Sequence, residues 1–532
     1  MSAFDAADEA KRSAPDTPTP ATRAPAADSN HAGENGSKTN LWLIFAGLAL
    51  AMFVFSLNQA MLSVALPTIV GELGGADQIH WVATAYMLAA TGMLPAYGKL
   101  ADRFGAQKMF VIATGIFLVA CVAGFFIGSV NALIAVRFIQ GLGGAGLVVL
   151  SQTLLALHVE PKERGKYMGM MGAVFVLSTV LGPVAGGLIT EMWGWRWCFG
   201  VNIPLGLLSL ALCAVFLRTP ATAARADAAE QAKAVDSERV DIAGMSLLAL
   251  ATTAAVLVMA WGGHTYAWMS APVIGTTVLG LVAIVALIAV ERRAADPVLP
   301  MELFKQRNFV VASFMGAVLS LAMFGVTTYL PTYIQIVEQV DAAMAGFVIL
   351  PMMIAVFLFS MASGFIISRT HNYRVVLGIG GLLVLVAMVL LGTKRMDQPL
   401  MYLVGVLVLL GIGLGLTVQM TVLLAQNSTE DSVMGTVTAA NNLFRELGGT
   451  VGISLVGGIF TSRLVNLLET RAPEVDYASV SPAGLLRMPE NLQALVRGAY
   501  SDAMLPIYLY LSPLLIAAIL SILFVNEKQI KG

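Results

Sequence analysis

From Leu41 onward the chain repeats one pattern: an apolar stretch, then a short polar break. Each stretch is close to the length needed to cross about 30 Å of hydrocarbon. The stretches lie near 41–67, 79–99, 108–128, 131–157, 167–190, 198–217, 241–261, 272–290, 309–336, 343–367, 374–392, 400–425, 433–460 and 503–525. They predict fourteen transmembrane helices and an all-α integral membrane fold. Most breaks are too short to hold a domain; only 218–240 and 462–502 are longer. Residues 1–38 are polar, rich in Ala, Pro, Asp and Thr, and lack an apolar h-region, so a disordered cytoplasmic tail is expected there rather than a signal peptide. The first span then serves as its own uncleaved insertion signal.

Composition agrees with the pattern. Of 532 residues, 58% are hydrophobic and only 12% are charged, and the mean hydropathy is +0.80. A soluble domain carries roughly 25% charged residues, so most of this surface must face lipid. The 51 glycines suit close helix packing in a membrane. A net charge of −1 offers no footprint for nucleic acid. Cys121, Cys198 and Cys213 all fall in apolar runs, with no CxxC pair and no His/Cys cluster, so neither a disulfide framework nor a metal site is expected. No cofactor motif is present, and no G-x-x-x-x-G-K-[ST] loop, so the chain has no visible ATPase site.

Charge also orients the spans. With the N-terminus inside, cytoplasmic segments carry 22 of the 31 Lys and Arg and outer loops carry 7; Arg137 and Arg445 lie within spans. The positive-inside rule and an even number of crossings put both termini in the cytoplasm. The halves look related: Gly98-Lys99-Leu100-Ala101-Asp102-Arg103 after the second stretch matches Gly364-Phe365-Ile366-Ile367-Ser368-Arg369 after the tenth. Residues 39–217 and 301–532 are accordingly expected to form two six-helix bundles in pseudo-symmetric repeat, the second with a long outer loop at 462–502. Residues 218–300 supply a cytoplasmic loop and two inserted helices.

Four motifs resemble the major facilitator superfamily, specifically its fourteen-spanner drug:proton antiporter family. Gly98-Lys99-Leu100-Ala101-Asp102-Arg103-Phe104-Gly105 is similar to G-x-L-x-D-R-x-G; Arg137, Gln140 and Gly141 to R-x-x-Q-G. Gly182-Pro183-Val184-Ala185-Gly186-Gly187 resembles the antiporter signature, and Trp195-Arg196-Trp197 with Asn202, Pro204 and Gly206 the junction that follows it. The resemblance covers about 41–525. It implies a gating loop at Gly98, Asp102, Arg103 and Gly105 that holds one gate state through charge pairs. It also implies a bend at Gly182, Pro183, Gly186 and Gly187 that limits leak. Proline removes a helical hydrogen bond, and Gly182 with Gly186 forms a small-xxx-small face.

Arg137 stands out independently of any family. An intramembrane arginine is costly and marks a site by default. It lies roughly 9 Å into the fourth span, with Gln140 one turn on. In the first span the chain reads Leu57-Asn58-Gln59 where the resembling family has an aspartate. An amide cannot exchange a proton, so Asn58 is expected to serve as a hydrogen-bond partner for Arg137. Glu446, beside Arg445, is the acid expected near the midplane and is the candidate proton carrier. Asn58, Gln59, Tyr86, Gln140, Tyr329, Tyr333, Gln335, Gln419, Asn441 and Asn442 are candidates for lining a substrate cavity or for joining helices.

The expectation is therefore a non-enzymatic secondary transporter of a bacterial inner membrane. It would export drugs or other amphipathic small molecules, with the proton as coupling ion and a periplasmic adaptor protein as a candidate partner. A narrow exporter of one metabolite or antibiotic, and a non-transporting membrane sensor on the same fold, are the rival readings.

Overall fold

The computed structural model describes residues 30–74, 78–217, 241–262, 266–294, 296–475, 477 and 480–527. The polar tail through residue 29 and the 218–240 loop lie outside the described residues. Fourteen long helices account for nearly all of the rest. The first six are α1 (Asn30–Leu73), α2 (Ile79–Phe104), α3 (Ala106–Phe125), α4 (Val130–His158), α5 (Pro161–Trp193) and α6 (Trp197–Phe216). Two more, α7 (Ile242–Trp261) and α8 (Ala271–Glu291), precede the last six. These are α9 (Arg307–Val337), α10 (Ala342–Thr370), α11 (Tyr373–Gly392), α12 (Leu400–Asn427), α13 (Met434–Arg471) and α14 (Glu490–Phe524). Thirteen are apolar enough to span a membrane by length and composition alone. The fourteenth, α2, is diluted by Trp81, Thr84 and Tyr86 near one end and by Lys99, Asp102 and Arg103 at the other.

Helices overrun the apolar stretches that predict them, and two expectations need correction. Helix α1 begins at Asn30, so residues 30–38 are helical rather than part of a disordered tail. Propagating an existing helix costs far less than nucleating one, so polar residues can extend a span. Most of the expected outer loop 462–502 is helical for the same reason: α13 runs to Arg471 and α14 starts at Glu490. Arg463 donates to the Ala503 and Asp502 carbonyls and to the Tyr510 hydroxyl, and Arg471 pairs with Asp502 at 2.6 Å. These contacts tie the two polar extensions to each other.

Packing follows the repeat. In the first bundle α1 packs on α4, α5 and α6, and α4 on α2 and α3; in the second α9 packs on α12, α13 and α14, and α12 on α10 and α11. Each set maps onto the other by adding eight to the helix number. The bundles meet along two crossings that the same rule exchanges, α2 with α13 and α5 with α10. The inserted helix α7 lies against α2 and α13, while α8 packs mainly on α7.

Both crossings depend on missing side chains. A Cβ on Gly98 would meet Ala439 and, at 2.6 Å, the Gly435 carbonyl oxygen. Gly165 and Gly169 press in the same way on Gly364 and Ser360. Backbones this close gain dispersion and weak Cα–H contacts that bulkier residues would forbid.

Candidate functional site

The bonds that join the bundles gather at the end bearing Asp102. The Asp102 carboxylate accepts the backbone N–H groups of Gly435 at 2.7 Å and Thr436 at 2.8 Å. Both belong to the first turn of α13, whose N–H groups have no helical acceptor and carry the positive end of the helix dipole. Arg103 and Lys99 pair instead with Asp296, in the segment between α8 and α9. Gly105, at φ 90°, makes the turn from α2 into α3. On the α5 side, buried Arg164 donates to Asn427 at 3.0 Å and pairs with Asp431 at 3.6 Å. Deeper in, Asn442 of α13 donates to the Gln152 Oε1 of α4 at 2.7 Å, Gln426 reaches the Gln152 carbonyl, and Ser360 donates to the Gly169 carbonyl. These contacts join the two bundles at this end of the molecule.

Arg137, only 3% exposed, is the centre of a second cluster farther from that latch. Its Nη1 donates to Asn58 Oδ1 at 3.0 Å and to Gln140 Oε1 at 2.6 Å, and its Nη2 donates to Gln59 Oε1. The guanidinium stacks 4.2 Å from the centre of the Tyr86 ring. Three helices thus converge on one cation, and every acceptor is neutral.

Glu446 occupies the opposite wall. It is exposed and lies one turn beyond Asn442, which reaches Gln152 of the first bundle, so it shares the face of α13 turned toward that bundle. Arg445 packs along Gly316 of α9 and donates to Asn442 at 3.4 Å. Of the expected cavity residues, Gln59 is half-buried at the edge of the Arg137 cluster. Asn58, Gln140 and Asn441 are fully buried and do not line an open space in this state. Asn441 reaches Ser313 within its own bundle; Tyr329 donates to the Ile453 carbonyl; Gln335 turns back to Pro331 of its own helix. Asn441 and Tyr329 therefore join helices, and Gln335 does not.

The glycine motif in α5 also packs. A Cβ on Gly182 would overlap Ala60, and one on Gly186 would meet the Met61 backbone at 2.7 Å, so α5 lies directly on α1. Gly187 has open space and Pro183 is exposed. Helix α5 continues through Pro183 to Trp193. The sequence did not single out Gln152, Arg164, Asn427 or Asp431 as bundle contacts, nor Glu72. The Glu72 carboxylate accepts the Trp195 indole N–H at 2.6 Å and the Arg196 guanidinium at 2.7 Å, joining α1 to the start of α6.

Residues 48–453 match the family model of the Major Facilitator Superfamily. This chain belongs to that superfamily. It is 31% identical over 464 residues to the Multidrug transporter protein MdtP of Bacillus subtilis (strain 168), spanning 87% of this chain and 83% of that protein. Multidrug resistance protein 3 of the same organism is 29% identical over 503 residues, spanning 92% and 96%. The fold matches that of the proton:xylose symporter XylE, with a TM-score of 0.59 at 12% identity over 91% of this chain and 95% of that one. The superfamily member described here is a multi-pass membrane transporter and not an enzyme.

Proposed function

We propose that this transporter exports amphipathic small molecules across a bacterial inner membrane in exchange for protons. The observation that carries the reading is the latch. Hydrogen bonds and ion pairs between the bundles concentrate at the Asp102 end, while Glu446 stands exposed in the cleft between them. The positive-inside count assigns the latched end, and with it both termini, to the cytoplasm. The cleft then faces outward, the state from which an exporter releases substrate and takes up protons.

In this reading Arg137 fixes the geometry of the first-bundle wall by holding α1, α2 and α4 together. Glu446 is the group that exchanges a proton, since Asn58 has none to exchange. Protonation and substrate compete at Glu446, and the glycine crossings let the bundles rock about the site while each stays rigid. The multidrug names of the two Bacillus relatives support a broad amphipathic substrate class. The test is proteoliposome transport with an imposed pH gradient. Glu446→Gln should bind substrate yet lose substrate-induced proton release. If the variant still couples flux to the gradient, Glu446 is not the coupling acid.

A further inference from the structure

The Arg137 cluster has an electrostatic imbalance. The guanidinium is almost wholly buried, and among the described residues its partners are three amide oxygens, the Val82 carbonyl and an aromatic face. None carries a negative charge. A buried cation is tolerated when an anion or a full set of acceptors offsets its desolvation. Asn58 stands directly against the guanidinium and supplies an amide there. The bonds of the guanidinium go to Asn58, Gln59, Gln140 and Val82, and none goes to Glu446.

Two more donors in the cluster point the same way. Asn58 Nδ2 and the Tyr86 hydroxyl are buried, and neither has a hydrogen-bond partner among the described residues. Buried donors without acceptors are costly to the fold and invite a ligand that accepts. Access is through Gln59, the half-buried member, whose carbonyl covers Arg137 Nη2. Its side chain reaches the guanidinium from the rim of the cluster, so a rotamer change uncovers one edge of the fork.

We propose that Arg137 is a subsite for an acidic group of the transported molecule, a carboxylate or another planar anion that displaces the Gln59 carbonyl and pairs with the guanidinium. Nη1 and Nε keep their bonds to Asn58, Gln140 and Val82, and Nη2 offers the incoming carboxylate a charge-assisted bond. A substrate whose acidic end lies here extends its other end toward Glu446. A basic group at that end meets the carboxylate that the proton also claims, so anion recognition and proton exchange use different walls of the cleft. This assignment rests on the export reading for its biological sense, but anion binding is measurable without transport.

The experiment uses the full-length protein in nanodiscs with dansylglycine, an aromatic carboxylate, and dansylglycine methyl ester, its neutral counterpart, read by fluorescence against empty nanodiscs. The wild type should bind the acid at least tenfold more tightly than the ester. Asn58→Asp places a carboxylate against Arg137 and should abolish that preference. Gln59→Ala removes the competing carbonyl and should tighten acid binding severalfold relative to the ester. Equal binding of acid and ester by the wild type overturns the proposal, and so does an unaltered preference in Asn58→Asp. Uptake of a cationic dye, rhodamine 6G, and of dansylglycine into inverted vesicles separates this from the export reading. Dye uptake without any acid preference in binding sinks the subsite and leaves export standing. Acid preference with no uptake of either probe sinks export and leaves the subsite.

Discussion

Asp102→Asn should unlatch the closed end. The carboxylate accepts two N–H bonds from the first turn of α13, at 2.7 and 2.8 Å, and its charge opposes the positive end of that helix. Asparagine keeps one acceptor oxygen. Its NH2 group must then face Gly435 N–H or Thr436 N–H, a donor against a donor. One charge-assisted bond is lost, about 1.5–3 kcal/mol, and the charge–dipole term of about 0.5–1 kcal/mol goes with it. A net cost of about 2 kcal/mol lowers the ratio of latched to unlatched molecules roughly thirtyfold. The unlatched state reforms bonds with water, so the net sits near the low end of that sum.

The assay is the distance between spin labels on exposed positions of the two bundles, such as Lys108 on α3 and Ser432 just before α13. The three native cysteines are buried and should label poorly. Wild type should give one short distance, and Asp102→Asn a second, longer population at the same pH and lipid composition. A single unshifted distance in the variant would refute the latch, because a structural role for Asp102 alone predicts misfolding or no change, and not a new population of intact molecules.

Two further substitutions probe the other parts of the site. Gly182→Leu should abolish transport and lower thermal stability, since even a Cβ there overlaps Ala60 of α1 and overpacking costs about 1–3 kcal/mol; full activity in vesicles would mean that α1 and α5 separate freely. Arg137→Ala should leave the protein inserted but reduce flux to background, because Asn58, Gln59 and Gln140 lose their common donor; near-normal flux would remove Arg137 from the mechanism.

How much of this was legible in the sequence depends on what each contact is made of. The spans were legible because lipid demands apolar length, and fourteen helices sit where fourteen stretches predict them. The Arg137 cluster was half legible: a lone intramembrane charge advertises itself, and Gln140 lies one turn away. Gln59 and Tyr86 approach from other helices, and a periodicity along one chain says nothing of which helix faces which. Asp102 was visible as a motif, but its acceptor role was not, because its partners are backbone N–H groups and leave no residue signature. Arg164 looked like one more cytoplasmic positive charge, whereas it is buried against Asn427 and Asp431. Helix lengths were misread at Asn30 and across 462–502 because hydropathy detects the lipid-facing part of a helix and stops there.

The two bundle crossings, alike in their glycines, differ in one respect that bears on how the molecule opens. Gly98 rests on Gly435 as Gly364 rests on Gly165. Helix α13 starts at Met434, so Gly435 and Thr436 still have free N–H groups to offer Asp102. Helix α5 starts at Pro161, so Gly165 is its fifth residue and lies past the turn whose N–H groups lack helical acceptors. An acid at the equivalent position would find no backbone donors there, and the residue at that place in α10 is Ser368, whose hydroxyl bonds back to Phe365 of its own helix. The α5–α10 crossing is held by close packing and by the neutral bond from the Ser360 hydroxyl to the Gly169 carbonyl, while Arg164 ties α5 to Asn427 of α12 and to Asp431 before α13. The α2–α13 crossing is held by a charge on a helix terminus and by the Asp296 pairs that tie α2 to the segment leading into the second bundle. Water offers a backbone amide a neutral acceptor where Asp102 offers a charge, so the α2–α13 side carries the larger cost of opening. Opening that starts on the α5–α10 side breaks weaker bonds first, and the inserted helix α7, packed on α2 and α13, stays with the crossing that yields last.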